Sequence, residues 1–369
     1  MADDAPRRDA ALVALDWGTT TFRAWLLDAT GAVVDGVRTA DGALSLSERA
    51  DSARARAAAF EATFSRLCRP WLDEHPGIPV LCSGMAGSNL GWADAGYLDV
   101  PAELGGLAYR LTVVPAGDSV VHLVPGLRAT GPLPDVMRGE EVQLVGALAT
   151  TIPEHAPAPD HAPAPEHAPA PEHPAAPDRQ QTVVLPGTHS KWVRLDGGCV
   201  AGFTTAMTGE LYGLLLRDSI LGRLAEGEPG TEASDAFTWG LEAEAEHGDE
   251  RGLPALLFTA RTLVLAGRLA GPEVADYLSG LLIGGEVRHA LRAEPADVVV
   301  LCGSPSTTHR YRLALERSGV TVRSVGEDVT ARGLWRVAVD AGLASLDPAS
   351  LDPASLDPAS LDPAEEQHA

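Results

Sequence analysis

Two short turns constrain this chain more than any other feature. Residues 11–16 (ALVALD) form a compact apolar run that stops at Asp16-Trp17-Gly18-Thr19-Thr20, and the alternating run 22–28 (FRAWLLD) leaves it. In the second half, residues 182–185 enter Pro186-Gly187-Thr188-His189-Ser190, and residues 191–195 leave it. Each is a strand–turn–strand unit. Its glycine lets the backbone turn tightly and approach an anion, while the threonine hydroxyls and nearby amides can bind phosphate oxygens. One such unit reads equally well as a plain hairpin turn. The same chemistry opening both halves is far harder to reach by chance. The chain holds no GxxxxGK[ST] run and no strand–GxGxxG–helix unit, so P-loop and dinucleotide-binding architectures are excluded.

Periodicity extends the pattern around each turn. Residues 33–39 read as a third strand, 51–72 as a helix, 80–82 and 120–124 as buried strands, and 140–149 as a helix. After the second turn come a strand at 200–204, helices around 209–222, 232–246, 254–268 and 272–292, and a strand at 298–302. A helix at 306–318, a strand at 320–325 and a helix at 330–341 complete the chain. A strand hairpin followed by helices therefore occurs twice. The expected fold class is α/β, in two similar lobes (10–149 and 182–327) with a cleft between them where a small molecule can bind.

Three segments stand outside those lobes. Residues 1–9 are polar and read as a flexible N-terminus. Residues 150–181 carry a degenerate EHAPAP repeat, too rich in proline for helix or sheet, and read as an extended linker. Its histidines, His155, His161, His167 and His173, recur every six residues without a fold to converge them on a metal. From residue 344 the chain repeats SLDPA four times and reads as a disordered acidic tail. These segments inflate the formal charge of -23: without the linker and tail charges, 27 basic and 40 acidic residues remain, or -13. A moderately acidic body argues against a general nucleic-acid or anionic-membrane binder, which needs clustered Lys and Arg. It does not exclude a small anionic substrate. The four cysteines, Cys68, Cys82, Cys199 and Cys302, form no CxxC pair and read as small buried hydrophobes. With a polar N-terminus and no apolar run approaching about 18 residues, the chain reads as soluble and cytoplasmic.

In the first turn Asp16 is placed to hold Mg²⁺ through water, and Gly18, Thr19 and Thr20 to bind phosphate. In the second, Gly187 and Thr188 repeat that role, and Lys191 adds a positive charge for a transferring phosphoryl group. With a later Gly-rich turn, this arrangement resembles the actin, hexokinase and heat-shock-chaperone ATPase superfamily. Six further blocks are similar to 2-dehydro-3-deoxygalactonokinases: SGMAGSNLGW (83–92), VMRGEEVQLVGA (136–147), PGTHSKWV (186–193), TAMTGELYGLLL (205–216), DAFTWGLE (235–242) and YLSGLLIGGEV (277–287). The resemblance runs from residue 12 to about residue 340.

That resemblance implies a two-lobed actin-like ATPase (ribonuclease H-like) fold, with the last helix (328–343) returning to the first lobe. It implies transfer of the ATP γ-phosphoryl group, with Mg²⁺, to the 6-hydroxyl of 2-dehydro-3-deoxygalactonate, and a homodimer as the assembly of family habit. Related carbohydrate kinases place an acidic base before an interlobe helix. The matching run Arg138-Gly139-Glu140-Glu141 makes Glu140 the first candidate and Glu141 the second, with a helix-capping role open to either. Arg138 can grip the substrate carboxylate or form a surface ion pair. Ser83, Gly84, Asn89 and Trp92 form either a sugar-binding loop or a structural turn packed by the indole. Gly303 and Ser304 would leave room for adenine, a role compatible with a helix cap nearby. His189 is assigned no chemistry. Three rival readings remain open: a kinase of another sugar acid or hexose, an ATP-dependent sensor of the same fold, and two plain turns with no nucleotide.

Overall fold

The computed structural model describes residues 10–151, 180–226, 233–326 and 328–345. The Pro- and His-rich repeat and the SLDPA tail beyond residue 345 lie outside them. The chain opens as the meander β1 (Ala10–Trp17), β2 (Phe22–Asp28) and β3 (Val33–Thr39), then helices α1 (Ala43–Glu48) and α2 (Ala53–Glu74), then β4 (Val80–Gly84). Short strands follow: β5 (Tyr97–Asp99), β6 (Ala102–Glu103), β7 (Thr112–Ala116), β8 (Ser119–Leu123), β9 (Gly126–Ala129) and β10 (Asp135–Met137). Helix α3 (Glu140–Thr151) ends this half.

The second half repeats the opening with β11 (Gln180–Leu185), β12 (Ser190–Asp196) and β13 (Cys199–Ala206). Helices α4 (Thr208–Asp218), α5 (Asp235–Arg251), α6 (Leu253–Leu257), α7 (Thr259–Leu265) and α8 (Val274–Ala293) come next. The chain finishes with β14 (Val298–Cys302), α9 (Pro305–Arg317), β15 (Thr321–Val325) and α10 (Val329–Asp340).

The two large sheets repeat one topology. The first has the order β3-β2-β1-β4-β8-β7, with β1 antiparallel to β2 and parallel to β4, and β4 parallel to β8. The second runs β13-β12-β11-β14-β15 with the same sense at each matching pair. This duplicated order is the two-lobed actin-like fold. In β1 every residue from Leu12 to Trp17 is buried, because layers cover both faces of this central strand, as its unbroken apolar run requires. Cys82 and Cys302 are buried on β4 and β14.

Two features depart from the sequence expectation. Residues 97–137 were assigned only one strand and hold six, each of two to five residues, too short to display a period. One of them crosses between halves: β6 pairs with β13 through Cys199↔Glu103 and Val200↔Ala102 and so extends the second sheet. The single helix expected at 254–268 is divided at Phe258 into α6 and α7.

One core joins the lobes. It gathers Leu12, Ala14 and Leu27 from the first sheet, Val183, Leu185 and Val193 from the second, and Val142, Leu334 and Trp335 from α3 and α10. Helix α10 packs on α3, β1 and β4, and two glycines make that approach possible. A Cβ on Gly146 would stand 1.9 Å from Val329 O, and one on Gly333 would stand 2.0 Å from Val142 O. Both clashes are with backbone, which cannot rotate away. Gly333→Ala is therefore expected to lower the unfolding free energy by about 1–3 kcal/mol. Urea denaturation of the two proteins checks this; an unchanged midpoint would mean the helices are not in such close contact.

Candidate active site

The ends of β1, β4 and α3 meet at one point. Asp16 and Trp17 pair with Ser83 and Gly84 in parallel register. A Cβ on Gly84 would lie 2.6 Å from Trp17 O, and one on Gly139 would lie 3.4 Å from the Gly84 Cα. Gly139 also has φ of +106°, a left-handed turn that lets the chain pass from β10 into α3 beside β1. This junction carries the acids. Asp16 is 7% exposed, and its Oδ2 lies 3.1 Å from Arg23 Nη2. Burial pushes its pKa up, with Arg23 opposing the shift.

The first turn is closed by Gly18 N–H donating to Thr21 O at 2.9 Å, and Ala43 and Leu44 of α1 donate to Gly18 O and Thr19 O. Thr19 and Thr20 remain exposed. In the second turn Gly187 and Thr188 are exposed, and Thr188 O accepts the Glu210 N–H of α4 at 2.9 Å. His189, assigned no chemistry, pairs with Glu210. Lys191 follows on β12 with its side chain only 6% exposed, and its Nζ lies 3.7 Å from Glu140 Oε1. A second-lobe cation thus meets a first-lobe carboxylate.

The adjacent glutamates divide sharply. Both Glu141 oxygens accept the Gly139 N–H, at 2.8 and 2.7 Å, and the side chain is fully buried. Desolvation and then the neighbouring Glu140 charge push its pKa up to about 8. Glu140 keeps about a quarter of its side chain open and accepts Arg138 N–H at 3.0 Å through Oε2. Burial raises its pKa, Lys191 pulls it down, and Asp16 adds a smaller upward push. Glu140 is the accessible acid of the pair.

Other expected residues are placed differently. Arg138 stacks on the Tyr97 ring at 4.3 Å and donates through Nη2 to Gly96 O at 2.8 Å. Its Nε and Nη1 are enclosed without a partner among the described residues, with Nη1 against Gly87. It packs against the 84–97 loop, and among the described residues it forms no surface ion pair. Trp92, expected to offer a face to the sugar, is 6% exposed and turned into an aromatic cluster with Trp17, Phe60 and Phe64, because its indole completes that core. Ser83 is buried at the end of β4, beside Asp16. Asn89 is exposed at the loop tip, and its carbonyl accepts a bond from Arg56.

A cavity of about 200 Å³ opens beside Gly187, between α4, α8 and α9. Tyr212, Leu282 and Ile283 give it apolar walls, and Thr307, Arg310 and Tyr311 line the α9 side. Arg310 is paired with Asp276 at 2.6 Å. Gly303 and Ser304 do not line it. Ser304 instead caps α9, its carbonyl accepting Thr308 N–H and its hydroxyl meeting Thr307 Oγ1 at 2.9 Å. The wall residues escaped the sequence reading because they look like the inward faces of ordinary amphipathic helices. The TGELYG and YLSGLLIGG runs were their signal. A larger cavity, about 800 Å³, lies at the opposite end of β11 around Gln180, Arg194 and Arg323, away from both turns.

The model of the family 2-keto-3-deoxy-galactonokinase matches residues 16–337. The chain belongs to this family. Among its relatives, the 2-dehydro-3-deoxygalactonokinase of Escherichia coli (strain K12) is 34% identical over 345 residues, 91% of this chain and 97% of the relative. A Rhizobium meliloti protein named as a probable 2-dehydro-3-deoxygalactonokinase is 36% identical over 326 residues, covering 86% and 93% of the two chains. A crystal structure of a Sinorhizobium meliloti protein assigned the same kinase name superposes with a TM-score of 0.73 at 33% identity, covering 89% of this chain and 98% of that one. The family's matched span begins at Asp16 and takes in both turns, the two glutamates and the cavity. No helix among the described residues is long and apolar enough to cross a membrane.

The buried Glu141 has a consequence for stability. Its folded pKa stands at about 8 against an ordinary 4.5, so the folded state holds a proton that the unfolded chain releases earlier. The resulting stabilisation is complete below the ordinary value and is lost as pH rises towards about 8. Glu141→Gln, which cannot ionise, is expected to flatten this decline. Thermal unfolding of both proteins between pH 5 and pH 8 tests it; parallel curves would show that Glu141 is ionised throughout.

Proposed function

We propose that this chain is an ATP-dependent sugar-acid kinase that phosphorylates the 6-hydroxyl of 2-dehydro-3-deoxygalactonate. One observation carries the assignment of roles: Glu140 of one lobe faces Lys191 of the other, beside Asp16, where the two Gly-Thr turns open. Family membership supplies the substrate class.

Phosphoryl transfer needs positioning and charge stabilisation more than covalent help from the protein. The Gly18-Thr19-Thr20 and Gly187-Thr188 turns offer amides and hydroxyls to the phosphates, one from each lobe. The apolar cavity beside Gly187 accepts the base of the nucleotide. Lys191 is positioned to balance charge that grows on the transferring oxygens. Glu140 accepts the proton of the attacking hydroxyl. Burial raises its pKa, which makes it a stronger base than an exposed carboxylate, and Lys191 opposes that rise. Asp16 fits a Mg²⁺ ion as a single carboxylate that shares the metal with substrate phosphates and water, the usual donor set for this ion. Bound there, the ion would neutralise phosphate charge.

A coupled ADP-release assay with Mg·ATP and 2-dehydro-3-deoxygalactonate tests the proposal. Glu140→Gln is expected to cut kcat by about 10²–10⁴-fold while nucleotide binding survives. The wild-type kcat/KM should fall on the acid side with a midpoint above the ordinary glutamate value, because the base must be unprotonated. A wild type that is silent with this acid and with a panel of hexoses and sugar acids would sink the function. A fully active Glu140→Gln would sink the base.

A further inference from the structure

The strand that carries Lys191 is gripped from behind by one carboxylate. Glu286 sits on α8 in the GGEV run, where the adjacent Gly284 and Gly285 face Leu241 and Glu244 of α5. Its Oε1 accepts the Ser190 hydroxyl at 2.8 Å and the Trp192 indole N–H at 2.7 Å. Its Oε2 accepts the Tyr311 hydroxyl at 2.7 Å, and that hydroxyl is also 3.3 Å from Ser190 Oγ. Three donors from two elements converge on this one carboxyl, which fixes β12 against α9 at this point.

Its placement joins two parts of the site. Alternate strand residues point to opposite faces. Ser190 and Trp192 face Glu286 and the helices, and Lys191 between them faces Glu140. Tyr311, the third donor, is a wall of the cavity beside Gly187. Tyr311 therefore links the cavity wall to both neighbours of Lys191, to Ser190 and Trp192 through Glu286 and to Ser190 directly as well. A residue needed only for packing would not have to hold three donors from β12 and α9.

Resting on the kinase reading above, we propose that Glu286 is a positioning residue that couples filling of the nucleotide-base cavity, through Tyr311, to the placement of Lys191 opposite Glu140.

Two measurements on the full chain test this. The first is kinetic. Tyr311→Phe, which removes the hydroxyl that joins the cavity wall to Glu286 and to Ser190, and Glu286→Ala should each lower kcat about 10- to 100-fold with the sugar-acid KM unchanged, the scale expected of a misplaced group. Glu286→Gln should recover part of the loss. The acid limb of kcat/KM should also move to higher pH in both variants that lose kcat. Glu140 faces Lys191 from β12, Asp16 from β1 with Arg23 of β2 behind it, and Arg138 and Glu141 on its own segment. Of these, only the Lys191 charge is withdrawn.

The second measurement does not need turnover. Lys191 is labelled with an amine-acylating reagent, with and without saturating adenosine, and read by peptide mass spectrometry. Adenosine has no phosphates with which to shield the lysine directly. Wild type should label differently when adenosine is bound; Tyr311→Phe should label identically in both states, with its adenosine binding verified by calorimetry. Equal labelling in wild type overturns the coupling, as does a failure of adenosine to bind. Variants that lose thermal stability but keep wild-type kcat, acid limb and labelling also overturn it, leaving Glu286 as a packing link. If wild type phosphorylates no acceptor, the kinase reading falls while the labelling result still decides the coupling.

Discussion

A lysine enclosed on a β-strand is costly to desolvate unless a counter-charge stands near it, and among the described residues Lys191 finds its ion-pair partner on the opposite lobe, in Glu140. Much of the architecture can be read as what is needed to bring those two groups within 3.7 Å. Glu140 must begin a helix at the end of β10, so Gly139 takes a left-handed turn against Gly84. That helix must lie against the first sheet, so α10 comes back from the second half and packs on it through Gly146 and Gly333. The lobes must not drift apart at their base, and the shared core from Leu12 to Val193 prevents it. The β6–β13 pairing and the bonds from Thr205 to Asp135, at 2.7 Å, add polar links between the halves. The pair would be of little use on a surface, where water screens such contacts.

What was legible in the sequence follows from how each feature is encoded. The strands that open each lobe are central and buried on both faces, so they are continuous apolar runs that end at a glycine. The helices of the second half are long enough to show their period. Glu140 and Glu141 were both marked by the family resemblance of the Arg138-Gly139-Glu140-Glu141 run, and what separates them, the contact with Lys191 and the burial of Glu141, is set by the fold. By contrast, β6 is two residues long and is a strand only because β13 lies beside it. The cavity walls come from three helices spread along the chain from Thr208 to Tyr311, and nothing in Tyr212 or Ile283 alone marks a wall facing open space. Pairing and cavities are properties of assembly.

Arg138 and Trp92 show a different limit. Both residue types bind sugars or carboxylates when exposed, and both serve packing when enclosed. The loop that carries Trp92 folds back so that Trp92 N–H reaches Ala86 O at 2.7 Å, which drives the indole into the Trp17 and Phe60 cluster. Arg138 then fills the space beneath, its guanidinium over Tyr97. Composition cannot decide between these outcomes, because the direction of the side chain depends on a loop closure that spans only a few residues.

The three acids at the lobe junction have different environments, and this separates their roles. Asp16, Glu140 and Glu141 are close enough to disfavour one another's charge, so they cannot all be ionised cheaply. Glu141 satisfies both oxygens on the Gly139 amide, and burial with the Glu140 charge pushes its pKa up to about 8 against a smaller pull from Arg138. Asp16 has Arg23, whose charge opposes the larger upward push that burial gives its pKa. Glu140 has Lys191, a partner on the other lobe, so its basicity depends on the distance between the lobes. Were Glu140 the base, as proposed above, it would be at its most ionised with the lobes closed and water excluded from the phosphates, which is when proton transfer to it is productive and hydrolysis is suppressed.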